Sequence, residues 1–218
     1  MNPTIATHLR TLENDLTDDA EERLRFEMLL TEISVDFVNL PVDQIDAAVA
    51  RAHRRICEHL GLDRSVLWQL VEETSGKMEM SYVYDISDGD LPVSPFNAQE
   101  TFPWAFGQVL DGKIFSMARI TDLPPEAGQD RVAFVNWGIK SAVFVPLTID
   151  GEVAGALTFC TLQDEKTWPE NIVGRLQLVA QLFTTALSRK QAEERLASLR
   201  AFESLAAEIS AHFINLPA

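Results

Sequence analysis

The stretch GIKSAVFVPLTIDGEVAGALTF, residues 138–159, decides the fold: two runs with strong strand propensity flank Asp150-Gly151, and an Asp-Gly pair between apolar runs is the strongest short-range sign of a two-residue hairpin. Working outward, GKIFSMARI upstream predicts another strand. DRSVLWQLVEE and KMEMSYVYD predict an antiparallel pair, with Met78, Met80, Tyr82 and Tyr84 alternating against Lys77, Glu79, Ser81 and Asp85. Before them, DQIDAAVARAHRRICEHLGL places Ile45, Val49, Ala52, Ile56 and Leu60 on one helical face, with Asp43 as the expected cap and Gly61 as the stop. Further back, Phe26, Leu30, Ile33, Phe37 and Leu40 step by 4, 3, 4, 3, a heptad seam that Pro41 ends. Leu9, Leu12, Leu16 and Leu24 stand among charges, which predicts a solvated helix or frayed coil. Downstream, TWPE offers a capping box from Thr167 to Glu170, and no Pro or Gly interrupts the chain between Gly174 and Pro217. Forty-odd helical residues make a rod of about 60 Å. The order predicts an α+β fold with an antiparallel sheet.

Composition narrows the function. The chain has 218 residues, 46% of them hydrophobic, enough for one domain with a real core. Its 33 acidic residues outweigh 18 basic ones for a net charge of −15, which repels phosphate and anionic lipid, so no nucleic acid and no membrane contact is expected. No run approaches the roughly 18 apolar residues of a spanning helix, and MNPTIATHLR lacks the core of a secretion signal; the expectation is a cytoplasmic protein. Cys57 and Cys160 are far apart, with no CxxC, and signal neither a disulfide framework nor a thiolate zinc site.

The chain also echoes itself. FEMLLTEISVDFVNLPV at 26–42 and FESLAAEISAHFINLPA at 202–218 match at ten of seventeen positions, 176 residues apart. AEERL stands upstream of both copies, with four more residues intervening in the second. The expected organisation is a flanking helix over 1–25, a domain over 26–186, and an exit helix over 187–218 that runs into a second, truncated repeat, the whole being a piece of a longer chain.

Residues 138–159 resemble the distal strand pair of a GAF domain, worded there close to G-[IV]-[RK]-S-x3-VPL-x3-G-x-[VL]-x-G-x-L. Gly138, Lys140, Ser141, Val145, Pro146, Leu147, Gly151, Gly155 and Leu157 carry the match. FEMLLTEISVDFVNLP, GLDRSVLWQL and ITDLPPEAGQDRVAFVNWGIKS extend the resemblance to about residues 22–196. It implies a sheet of about six antiparallel strands, entry and exit helices packed on one face, and a small-molecule pocket walled by loops and short helices on the other. Family ligand signatures are missing: there is no Asn-Lys pair of the cyclic-nucleotide binders, and no cysteine between 86 and 137 to hold a bilin. Nor are redox thiols clustered as in the free methionine sulfoxide reductases.

In that frame, the aromatic insert over 86–137 and the strands beneath it supply a candidate pocket of Trp68, Tyr82, Phe102, Trp104, Phe115, Arg119 and Trp137. Phe96, Phe106, Phe134 and Tyr84 add further rings, and Arg131 a second cation. The plainer alternative is that the rings only fill the space between insert and sheet. His53 and Cys57 have the spacing of metal ligands on a helix, but two ligands make no site, and they are expected at the boundary of surface and core. Asp122, Glu126 and Asp130 are expected on a solvated face without a role. On the exit helix, Val179, Leu182 and Ala186 start one stripe, and Leu199, Phe202, Ala206, Ile209 and Phe213 form a seam suited to a homodimer through a parallel helical bundle. No catalytic residue, metal or named cofactor is expected. The resemblance implies a sensory module that binds an unidentified small molecule and signals through its flanking helices. The output is a histidine kinase first, then a sigma-54-type activator or a diguanylate cyclase. The rivals are a ligand-free spacer and a thiol enzyme that would bring Cys57 to Cys160.

Overall fold

A computed structural model describes residues 3–72, 77–87 and 97–214, with side chains placed over 20–71, 77–87 and 97–206. The chain opens with helix α1 (Pro3–Asn39), continuous through the segment expected to be a separate flanking piece. A 3-10 turn over Val42–Gln44 leads into α2 (Ile45–Leu60), so Asp43 lies in that turn and Gln44, without a side-chain cap, occupies the N-cap. The apolar face of α2 is buried along its length, and Gly61 closes the helix at φ +59°, a left-handed conformation open to glycine without a Cβ penalty.

Strands β1 (Arg64–Glu72) and β2 (Lys77–Asp85) follow as an antiparallel pair. The insert holds α3 (Ala98–Thr101), α4 (Pro103–Leu110), the short strand β3 (Phe115–Met117) and α5 (Gly128–Asn136). Strands β4 (Ser141–Ile149) and β5 (Glu152–Thr161) form the expected hairpin, and Asp150 and Gly151 both have positive φ, 52° and 88°, as a type I′ turn requires. The last element is α6 (Glu170–Ile214), 45 residues in one helix. It opens with the carbonyl of Pro169 accepting from the amides of Ile172 and Val173, in place of the expected capping box.

Among the described residues the sheet has five strands rather than about six, in the order β2-β1-β5-β4-β3. Each of its two faces carries a core. On one, α1, α2 and α6 bury Phe26, Ile33, Phe37, Ile56 and Phe183 against Leu67, Val143, Val145, Leu157 and Phe159. The seam of α1 turns toward Leu29 rather than Leu30, which is half-buried. On the other, the insert covers Val66, Trp68, Met78, Phe144, Ala156 and Cys160.

One irregularity changes which side chains share a face. Leu67 pairs with Tyr82 and Trp68 with Met80, so Ser81 is an extra residue in β2. Before this bulge Met78 and Met80 face the insert; after it Tyr82 and Tyr84 face the helices. Unbroken alternation would have put all four on one face.

Helices α1 and α6 run parallel. Arg175, early in α6, pairs with Glu22 at 3.6 Å and sits over the Phe26 ring, 5.2 Å from its centroid. Later in α6, Arg189 donates to the carbonyls of Phe37, Val38 and Leu40, each at 2.9 Å, satisfying the open end of α1.

Candidate functional site

The face of the sheet under the insert is floored by Trp68 of β1, Phe115 of β3 and Phe144 of β4. Period-2 alternation brings them there from different strands. Over them lie Phe102 and Phe106, around α4, and Phe134 of α5. Trp68 meets Phe106 edge-on at 5.1 Å, and Phe106 meets Phe144 edge-on at 5.7 Å. Phe102 lies 4.8 Å from Phe134 and 5.1 Å from Trp137, while Trp104 and Phe115 meet edge-on at 4.9 Å. Such geometries are attractive in themselves, beyond the area they bury. The indole N–H of Trp68 donates to Thr158 Oγ1 at 2.9 Å, so its one polar atom is satisfied inside the core.

The seven expected site residues therefore divide. Trp68, Phe102 and Phe115 come together but are buried in ring-to-ring contact. Trp104 and Trp137 are half-buried at the rim of the same cluster. Arg119 is exposed and occupied by Asp122, whose carboxylate takes both its backbone amide and its guanidinium at the start of a 3-10 turn. Tyr82 is on the opposite face: the bulge at Ser81 turns it to the helices, where its hydroxyl donates to Asp46 of α2. Phe96 lies outside the described residues.

Asp130, expected on a solvated face, is fully buried. Its carboxylate accepts from the amides of Trp104 at 3.1 Å and Ala105 at 2.8 Å, the first turn of α4. It is the anion that this helix start favours, supplied from 26 residues away. Burial raises its pKa above the ordinary value, and the two amides pull against that rise. The neighbouring Arg131 donates to the carbonyl of Leu123 at 2.8 Å, holding the turn before α5.

A buried ion pair ties the edge of the insert to the sheet. Arg64 binds Asp85 through Nε at 2.7 Å and a terminal nitrogen at 2.6 Å, and reaches the carbonyl of Trp137 at 3.3 Å. Removing one partner would strand a buried charge, so the pair fixes where the insert leaves and rejoins the strands.

Among the described residues, two grooves open on the helical side of the sheet. A groove of about 540 Å³ runs between α6 and the part of β4 that β3 leaves uncovered, lined by Ile114, Val145, Thr148, Gln177, Gln181 and Thr184. A second, of about 480 Å³, lies between α1 and α2 beside Arg25, Arg55 and His59.

His53 and Cys57 are both deep in the helical core rather than at its boundary. His53 Nδ1 is 2.7 Å from Ser65 Oγ, its ring lies edge-on to Phe183 at 4.9 Å, and burial lowers its pKa to about 3, so it is neutral. Among the described residues no three His, Cys, Asp or Glu side chains gather as metal ligands. Cys57 and Cys160 belong to the cores on opposite faces of the sheet. Burial pushes the Cys160 thiol to about 12 and Cys57 higher still, so neither is a ready nucleophile. No helix among the described residues is long and apolar enough to cross a membrane.

Comparison with known proteins places this geometry. No curated protein matches the chain. Solved structures do, at identities that speak for the fold alone. The phycocyanobilin-bound GAF domain of a cyanobacterial phytochrome is 17% identical with a TM-score of 0.62, over 77% of this chain and 96% of that one. The GAF domain of a phosphoenolpyruvate-protein phosphotransferase from Coxiella burnetii is 15% identical with a TM-score of 0.61, over 79% and 98%. A domain assigned to a two-component sensor histidine kinase of Sinorhizobium meliloti 1021 is 16% identical with a TM-score of 0.51, over 68% and 94%. The GAF domain model itself matches residues 44–187, from the start of α2 into α6, and the chain belongs to the GAF family.

Proposed function

We propose that this chain is a sensory GAF module of a cytoplasmic signalling protein, in which a small molecule taken up at the insert face biases an output domain, a histidine kinase first, through α6. GAF domains serve as sensory small-molecule-binding modules in phytochromes and kinases. The observation that carries the relay is the link from sheet to exit helix. The Tyr82 hydroxyl of β2 and the Lys190 ammonium of α6 converge on the same Asp46 carboxylate of α2, and the neighbouring Arg189 grips the end of α1. A shift of the edge strand β2 reaches the departing helix through a single carboxylate. A ligand can select between two positions of that helix only by binding one better than the other. Leu24, Met28, Val35 and Val38 of α1, and Leu196 and Leu199 of α6, are exposed and give the module an apolar surface for a homodimer through its flanking helices.

A second reading is favoured by the ring packing: where Trp68, Phe102, Phe106 and Phe144 already fill one another's space, the domain acts as a ligand-free spacer. Native mass spectrometry of the purified chain separates the two. The sensor reading expects a retained small molecule that Trp104→Ala releases while the circular dichroism of the sheet is kept. A chain that carries nothing, and loses stability on Trp104→Ala as a core variant does, establishes the spacer instead.

A further inference from the structure

The first copy of the seventeen-residue echo is built into the helical core. In the first copy Phe26, Leu29, Ile33 and Phe37 are 1%, 8%, 2% and 4% exposed. His59 of α2 lies against Phe26, ring centroids 5.4 Å apart, and Phe183 of α6 meets Phe37 edge-on at 5.4 Å. All four residues are identical in the second copy, as Phe202, Leu205, Ile209 and Phe213. The seven positions at which the copies differ are 28, 30, 31, 35, 36, 38 and 42, and every one is exposed or half-buried in the first copy. Every residue that the fold buries in the first copy is kept. Yet in the second copy Phe202 is 71% exposed and Leu205 55%, on a helix that has already left its domain.

We infer that α6 changes role at Phe202: from there it is an entry helix, and its apolar stripe is covered by an α2-like helix of a second domain of this same fold on the same chain. The required partner face is the one α2 turns to α1 here, along Ala48, Ala52, Arg55 and His59. The inference rests on reading the chain as a module in an array, and is independent of any ligand. It also fixes a spacing. Glu22 lies level with Arg175 and Phe37 with Arg189, so Phe26 is level with α6 near residue 178. Phe202 is some 24 residues beyond that level, which at 1.5 Å per residue sets successive domains about 35 Å apart along one unbroken rod.

The test appends residues 43–190 to Ala218 of the full chain, giving the second copy of the seam a partner while withholding any other entry helix. The appended unit should fold, with the calorimetric unfolding enthalpy roughly doubled over that of the 218-residue chain. Phe202→Asp with Ile209→Asp should return the enthalpy to the single-domain value, and in the 218-residue chain the same pair should leave the domain's Tm within about 2 °C. Two results overturn the inference: an appended unit that stays protease-sensitive and adds no enthalpy, or one that folds equally well with both aspartates in place. Neither bears on ligand retention, which native mass spectrometry reads separately on the first domain.

Discussion

Replacing Gly155 by alanine adds one methyl group to the central strand of the sheet. A Cβ built there would lie 2.2 Å from the carbonyl oxygen of Trp68, with the Trp68 carbonyl carbon at 3.3 Å and Gln69 Cα at 3.4 Å. The obstacle is backbone on β1, so no side chain can swing aside. Ordinary contact needs 3.4 Å or more, and β1 must therefore retreat from β5 by about 1 Å where Gln69 faces Gly155. That opens about two ladder hydrogen bonds at ~1 kcal/mol each, and strain in an overpacked interior adds ~1–3 kcal/mol. The sum is about 3–5 kcal/mol, or a fall in Tm of roughly 10 °C for a domain of this size. Gly174 supplies the contrast: it lies in α6 with nothing within 4 Å of an added Cβ. Gly174→Ala should raise stability by ~0.5–1 kcal/mol through helix propensity. Thermal melts followed at 222 nm, with urea unfolding at constant m-value, measure both. A Gly155→Ala chain that melts within about 3 °C of the parent would show that the close approach to Trp68 does not constrain the sheet.

Asp130→Ala leaves the amides of Trp104 and Ala105 without an acceptor and should cost about 2–4 kcal/mol, whereas Asp130→Asn keeps an acceptor, removes a buried charge and should stay within ~1 kcal/mol; equal urea midpoints for the two would exclude the capping role. The Asp46 carboxyl is held below its ordinary 3.8, first by the hydrogen bond from Lys190 and then by that from Tyr82. A lowered carboxylate pKa stabilises the fold at higher pH, and that contribution is lost as pH falls from about 3.8 through the folded value. Asp46→Asn should therefore flatten the acid limb of Tm against pH, and parallel acid limbs in parent and variant would count against the Asp46 link.

What could be foreseen from the residues was what short-range chemistry controls. The turn at Asp150-Gly151 needs two positive φ angles, and the pair that adopts them is adjacent in the chain. The buried face of α2 follows from a 3.6-residue period, and its end from a glycine. The failures share another cause. Tyr82 was expected beside Trp68 because strict alternation carries a side chain two residues on to the same face; one unpaired residue, Ser81, cancels that, and nothing in KMEMSYVYD marks it as a bulge. Asp130 was expected in solvent because its partners, the first amides of α4, are 26 residues away and carry no side-chain signature. The aromatic insert was correctly expected over the sheet, but composition does not distinguish rings that line a void from rings that fill it. Among the described residues they stack on one another.

Beyond Lys190 the exit helix continues for 24 residues to Ile214 without a glycine or proline. It is about 36 Å of rod with no residue suited to act as a joint. Arg189, clamped on the three carbonyls that end α1, is the natural fulcrum. With a lever arm of that length, a tilt of about 5° at the fulcrum displaces the far end by ~3 Å, roughly half of a 5.4 Å helical turn. Angular play too small to disturb the packing of Phe183 becomes, at the tip, a displacement that could exchange one set of neighbouring side chains for another.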